Sequence, residues 1–217
     1  MSGIRGTHIR CVQGALLAVL LCVVSPLGAV AQHQHHEEHD AVRPGALKKG
    51  RPGMVDVGGV KIEIPDVEVL DQDGRKVRLY SDLIKGKIVV LTFFFTSCTL
   101  VCPPQGRALA KLKARLAERF GREVFFISVS KDPEIDTPAR LKSWGTQFGA
   151  GDGWTLVTGE TEMMKRLIWN FTGEGLGQQM HSPIFLIGND RTGVWTEAEG
   201  LSAPEEVVKE IDKVTAS

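Results

Sequence analysis

The run KIVVLTFFF, residues 87–95, constrains this chain more than any other stretch. It is a continuous apolar segment rich in β-branched and aromatic residues, without the polar–apolar alternation of a half-wet strand. Such a run reads as a central strand buried on both faces. The next residues narrow the possibilities further. TSCTLVCPP, residues 96–104, puts two cysteines four apart directly after the strand. Leu109, Leu112, Leu116 and Phe120 then recur at helical spacing, with Lys111, Lys113, Arg115 and Arg119 between them.

The neighbouring segments extend this strand–helix unit into an α/β domain running from about residue 59 to residue 217. VKIEI alternates as a strand. VEVL-DQDG-RKVRL reads as a hairpin turning at Asp73-Gly74. EVFFISVS, residues 123–130, is a second buried strand. DTPARLKSW opens a helix, with Thr137 suited to the N-cap and Pro138 to the first helical position. TEMMKRLIWNF is a third helix, PIFLI and GVWTE flank the turn GNDRTG as a second hairpin, and APEEVVKEIDKV closes the chain as a helix. Strands alternating with helices imply a parallel core, to which the late hairpin adds antiparallel strands. The expected fold is therefore α/β and thioredoxin-like: a central mixed sheet flanked by helices, with an added N-terminal hairpin.

The N-terminus reads differently. Arg5 and Arg10 precede the apolar stretch CVQGALLAVLLCVV, and Ala29 and Ala31 stand in A-x-A positions. Residues 1–31 thus read as a secretory signal cleaved after Ala31. An uncleaved anchor is the alternative, because residues 11–31 carry no charge and reach the ~20 apolar residues a bilayer requires. Leu21 before Cys22 is too large for a lipoprotein signal. Residues 32–58, containing QHQHHEEHD and RPGALKKGRPGM, lack a hydrophobic period and are expected to form a His-rich flexible linker.

Cleavage changes what the remaining composition means. The whole chain carries 26 basic and 26 acidic residues; losing Arg5 and Arg10 leaves 24 against 26, a net charge of −2. No basic field points to nucleic acid. Cys11 and Cys22 leave with the signal, so only Cys98 and Cys102 enter an oxidising compartment. A disulfide closing so short a loop would constrain the unfolded chain little, so a reactive or metal-binding pair is favoured over a staple. Pro104 disfavours helical geometry at Pro103, so the helix is expected to begin at Pro104. Cys102 would then lie near its N-terminus, where the dipole favours thiolate.

Outside the signal and linker the domain has one histidine, His181, in QQMHSPIFLI. In a thioredoxin-like fold the proline opening that strand, here Pro183, faces the cysteine loop. By that analogy His181 reaches Cys98 and Cys102. Two thiolates and an imidazole form a soft set suited to copper, with Zn(II) also possible. Met180 is adjacent, but side chains alternate along a strand.

At these residues the chain resembles a known family. TSCTLVCP, SVSKDPEIDTPARL, GWTLVTGETE and HSPIFLIGNDRTG are similar to the Sco/SenC copper chaperones of the thioredoxin superfamily, from about residue 60 to the C-terminus. The resemblance implies copper held by Cys98, Cys102 and His181. It also implies delivery to, or thiol maintenance of, the copper centre of cytochrome c oxidase at the outer face of the membrane. Localisation would be periplasmic or anchored at the outer face of the inner membrane. The chain departs from the family in two places. Thr99, Leu100 and Val101 stand between the cysteines where the family commonly has Pro and Asp, and Met180 stands where it often has Asp. Both changes remove negative charge and should shift preference from Cu(II) towards Cu(I). Asp132 and Asp136 match the family motif, and capping or loop hydrogen bonds account for them.

The competing function is a periplasmic thiol–disulfide oxidoreductase. The C-x-x-x-C spacing argues against it, since thioredoxins use a tighter C-x-x-C loop. A peroxiredoxin would carry Thr three residues before its reactive cysteine, where this chain has Phe95. A second, weaker copper site is expected at His33, His35, His36 and His39, beside Glu37, Glu38 and Asp40.

Overall fold

The structure, a computed structural model, describes residues 53–57, 60–172 and 183–216. These all fall in one compact unit, Asp40–Ser217. The signal or anchor at 1–31, the linker histidines, Met180 and His181 lie outside the described residues. Among the described residues, no helix is long and apolar enough to cross a membrane.

The apolar run at 87–95 forms strand β5, Ile88–Phe94. It sits inside a mixed sheet, parallel to β6 (Val124–Ser130) on one side and antiparallel to β8 (Ile184–Asn189) on the other. Strand β7 (Trp154–Thr158) pairs parallel with β6, and β9 (Val194–Glu199) antiparallel with β8. This is the mixed core expected of a thioredoxin-like fold. Alternate residues of β5 point into two separate apolar layers. Val90 and Phe94 pack with Leu109, Leu112, Trp144 and Ile211 on one face. Val89 and Leu91 pack with Met164, Leu167 and Ile168 on the other. Helices α1 (Cys102–Leu116), α2 (Pro138–Gln147) and α4 (Pro204–Ala216) supply the first layer, and α3 (Thr161–Thr172) contributes to the second.

Two hairpins extend the sheet, one at each edge. The expected hairpin forms as β3 (Glu68–Asp71) and β4 (Lys76–Arg78), with β3 antiparallel to β7. Its turn is held by the Asp71 carboxylate, which accepts from the backbone N–H groups of Asp73 and Arg75, both at 2.9 Å. Gly74 supplies the positive φ, 77°. The other hairpin differs from expectation. Met54–Val57, counted with the linker on composition, forms β1 and pairs with β2, Val60–Glu63. Strand β1 also joins β9 at Asp56 and Val194. A strand of four residues leaves too little pattern to distinguish it from a loop; its partners define it.

Three further departures have local causes. Helix α1 begins at Cys102 rather than Pro104. The first N–H groups of a helix have no intrahelical partner, so Pro103 and Pro104 forfeit no bond there. The Gln105 N–H, donating to the Val101 carbonyl at 3.1 Å, closes the first turn. At the other end, Phe120 does not continue the helix. Ala117 takes a φ of 48°, and Phe120 instead bridges to Val124 and meets the Phe126 ring edge-on at 4.8 Å. Strand β7 is not separable from loop in the sequence. Thr137 and Pro138 do open α2 as expected, the Thr137 hydroxyl accepting from the Arg140 N–H at 3.4 Å.

The β8–β9 pairing sets Gly188 opposite Trp195. A Cβ on Gly188 would come within 2.1 Å of the Trp195 ring, which is buried. Gly188→Ala is therefore expected to destabilise the fold by about 1–3 kcal/mol through overpacking. Chemical denaturation measures this; an unchanged midpoint would show that the indole can move aside freely.

Candidate metal and thiol site

Strand β5 ends at Phe94, and α1 begins at Cys102. The residues between form a turn at the C-terminal edge of the parallel strands, where α/β sheets place their ligands. Both cysteines are free thiols, Cys98 half-buried and Cys102 buried. Cys102 belongs to the apolar layer containing Phe94 and Leu109, while Cys98 packs against the margin of that layer. The Cys102 N–H donates to Cys98 Sγ at 3.3 Å.

This geometry separates the two sulfurs chemically. Burial pushes the Cys98 thiol up. Hydrogen bonds from Cys102, through its amide and its thiol, and from the amides of Leu100 and Val101 outweigh that and bring it below the ordinary thiol value. Cys102 is pushed up to about 12, first by burial and then by the hydrogen bond it gives Cys98, with the charges of Cys98 and Asp136 adding to the effect. The expectation that the helix N-terminus favours thiolate at Cys102 is thus corrected: burial outweighs it. The amide groups that start α1 point at the sulfur before the helix, while Cys102's own side chain enters the apolar layer. Cys98 is thus the stronger acid of the pair, and Cys102 the weaker.

The loop after β6 braces the cysteine turn. Asp136 is fully buried. Its carboxylate accepts from the Ser130 hydroxyl at 2.6 Å, from the Thr96 N–H at 3.1 Å, and from the Thr96 hydroxyl. Asp132 donates its N–H to Ser130 Oγ at 3.0 Å, and its carbonyl accepts from Ile135 and Asp136. Burial raises the Asp132 carboxyl, and the charges of Asp136 and Glu134 raise it further. Loop hydrogen bonding therefore accounts for the Asp136 carboxylate, while Asp132 joins the loop through its main-chain N–H and carbonyl. Sequence reasoning does not single out Thr96 and Ser130. Nothing local marks them, because their shared partner lies on another loop.

The start of β8 approaches the same edge. Thr92 of β5 pairs with Phe185 of β8, so the antiparallel register runs the start of β8 alongside the end of β5. Pro183 is fixed there by accepting the Gly200 N–H at 2.6 Å. Among the described residues, no three His, Cys, Asp or Glu side chains gather as a metal cluster. The described part of the site is the cysteine pair, a soft two-sulfur donor set that fits a soft cation.

The SCO1/SenC family model matches residues 60–216. The SCO1 protein homolog of Bacillus subtilis (strain 168) is 34% identical over 149 residues, covering 61% of this chain and 75% of that protein. Among solved structures, BsSco, described as a member of the Sco family of cytochrome c oxidase assembly proteins with a disulfide switch, superposes with a TM-score of 0.61 at 23% identity. That match covers 71% of this chain and 94% of the other. Arabidopsis thaliana ScoI, solved with copper bound, superposes with a TM-score of 0.55 at 23% identity, covering 67% of this chain and 96% of the other. At these identities the two structures establish the shared fold.

In the reduced protein, a small alkylating reagent at pH 7–8 is expected to modify Cys98 at least tenfold faster than Cys102, since thiolate is the reacting species. The Cys98 rate should rise with pH and level off below the ordinary thiol value, while Cys102 stays slow towards about pH 12. Peptide mapping at successive times measures both rates; equal labelling of the two cysteines would contradict the assignment.

Proposed function

This chain belongs to the SCO1/SenC family, and from that premise we propose that it is an exported copper chaperone that binds its cargo through Cys98, Cys102 and His181. The observation that carries this reading is the asymmetric cysteine pair at the end of β5. Half-exposed Cys98 can make the first contact with incoming metal, and Cys102 closes behind it by giving up a proton. The β5–β8 register supports His181 as the third donor, because that residue stands three positions before Ile184, where β8 begins beside the end of β5. Two sulfurs and an imidazole suit Cu(I). The copper bound by Arabidopsis ScoI supports the choice of metal. The family of BsSco supports a respiratory cuproenzyme such as cytochrome c oxidase as the recipient.

Residues 1–31 are proposed to export the chain to the periplasm, or to anchor it at the outer face of the inner membrane. The difference between the two thiols also favours a second reading, dithiol exchange with an exported client. Cys98 would attack the client disulfide, and Cys102 would then attack Cys98 and release the client as a dithiol. The two activities are compatible, because a reduced client offers the thiolates that copper requires.

One Cu(I) per chain is the expected stoichiometry for protein purified under reducing conditions. Cys98→Ala, Cys102→Ala and His181→Ala should each weaken binding by more than about a hundredfold, beyond the loss that substitutions of outer-shell partners reach. Competition with a chromophoric Cu(I) chelator reports the affinities. Wild-type affinity in His181→Ala would reduce the site to a two-thiolate pair. Oxidation of Cys98 and Cys102 to a disulfide should abolish binding, since it removes both thiolates.

The linker histidines are proposed as a separate, weaker Cu(II) site. His33, His35, His36 and His39 lie within seven residues, interspersed with the acids Glu37 and Glu38. Nitrogen and oxygen donors suit Cu(II), as sulfur suits Cu(I). Replacing all four histidines with Ala in the full chain should remove at least one Cu(II) equivalent by titration and leave Cu(I) loading intact. An unchanged number of Cu(II) sites would leave the segment as a linker alone.

A further inference from the structure

The turn that carries the cysteines is held from outside as well as by its own hydrogen bonds. Within the turn the Cys98 N–H donates to the Phe95 carbonyl at 3.2 Å, the Val101 carbonyl receives the first N–H of the helical ladder, and Cys98 Sγ accepts from the amides of Leu100, Val101 and Cys102. The hydrogen bonds that leave the turn converge at Thr96. Its N–H and its hydroxyl both donate to the Asp136 carboxylate, and Arg140 Nε donates to the same hydroxyl oxygen at 3.3 Å. Ser130, the last residue of β6, donates to the other side of that carboxylate at 2.6 Å. Asp136 is fully buried. A buried carboxylate is costly unless donors saturate it, and two of its three donor groups come from Thr96.

We infer that Asp136 is a positioning residue for the cysteine pair: by tying Thr96 to the end of β6, it holds the turn in the arrangement where both thiols are free and Cys98 accepts the Cys102 N–H. This rests on the pair being the working site, as proposed above. On this inference the turn adjusts when the disulfide closes, since a disulfide demands Cβ atoms ~3.8 Å apart and a fixed dihedral. Thr96 is two residues from Cys98, and the Asp136 tie opposes that adjustment. The tie therefore favours the dithiol, the form that can take up copper.

The test is the dithiol–disulfide equilibrium of the full chain in a glutathione redox buffer, in which two thiols pass two electrons and two protons to oxidised glutathione. Asp136→Ala is expected to shift this equilibrium about tenfold towards the disulfide, a potential more negative by ~30 mV. A loss of stability shared by both redox forms cancels from this quantity, so a purely structural role leaves it unmoved. Asp136→Asn retains an oxygen acceptor for the Thr96 N–H and should fall between wild type and Asp136→Ala. Thr96→Val removes only the hydroxyl, should shift the equilibrium about threefold in the same direction, and decides the matter if Asp136→Ala does not fold. A folded Asp136→Ala with an equilibrium unchanged or shifted towards the dithiol overturns the inference, as does the same result in Thr96→Val. Cu(I) loading of the wild type is measured separately. A wild type that binds no copper would sink the chaperone reading while leaving the redox comparison valid. Unaltered potentials in variants of a copper-binding wild type would sink the positioning role alone.

Discussion

Burial of β5 on both faces is the constraint on which the rest of the structure depends. Its residues alternate between two apolar layers, so neither face can be left to water. Flanking by β6 and β8 satisfies its backbone groups, and helices cover its faces. A strand so enclosed leaves the apolar layers only at its ends. The C-terminal end opens at Phe95, and the chain turns there before diving back as α1. The cysteines occupy that turn. Their position at the rim, half in solvent and half in the core, is set by where a buried strand must stop.

The turn then creates a chemical difference between two identical side chains. The amide groups at the start of a helix have no carbonyl partners of their own, and here they face Cys98. Cys102, one helical turn further on, is part of the apolar layer, and that burial makes it a weaker acid. The two sulfurs thus differ in acidity, Cys98 being the stronger acid. Such a pair can accept a soft metal stepwise or exchange a disulfide stepwise. Thr99, Leu100 and Val101 add no charged side chain to the rim.

Polar contacts inside the sheet serve the same end. Thr92 and Ser128 share a hydrogen bond of 2.9 Å across β5 and β6, and the Trp154 indole donates to Ser128 at 3.0 Å. These bonds join three neighbouring strands in the layer beneath α1. Further along, Ser130 and Thr96 meet on Asp136. The buried polar groups on this face thus run from the middle of the sheet to the cysteine turn, and bind the rim to the rigid part of the fold.

The central strand, the helix after the cysteines, the Thr137–Pro138 helix start and the hairpins turning at Asp73-Gly74 and at GNDRTG are legible in the sequence, because each rests on local pattern or backbone preference. Family membership is equally legible, since it rests on short motifs whose spacing survives without coordinates. Strands β1 and β7 are not, because segments of four or five residues acquire their identity from the strands beside them. The sequence by itself named Cys98 and Cys102 and put a helix start next to them. Only the tertiary structure decided which sulfur faces the amides and which enters the core, where burial outweighs the thiolate-favouring helix dipole expected at Cys102. The same holds for Asp136, whose partners Thr96 and Ser130 lie forty and six residues away in sequence. Helical propensity and hydrophobic period act along the chain and are visible in it; acidity and hydrogen-bond partnership depend on what surrounds a group in space, which packing alone determines.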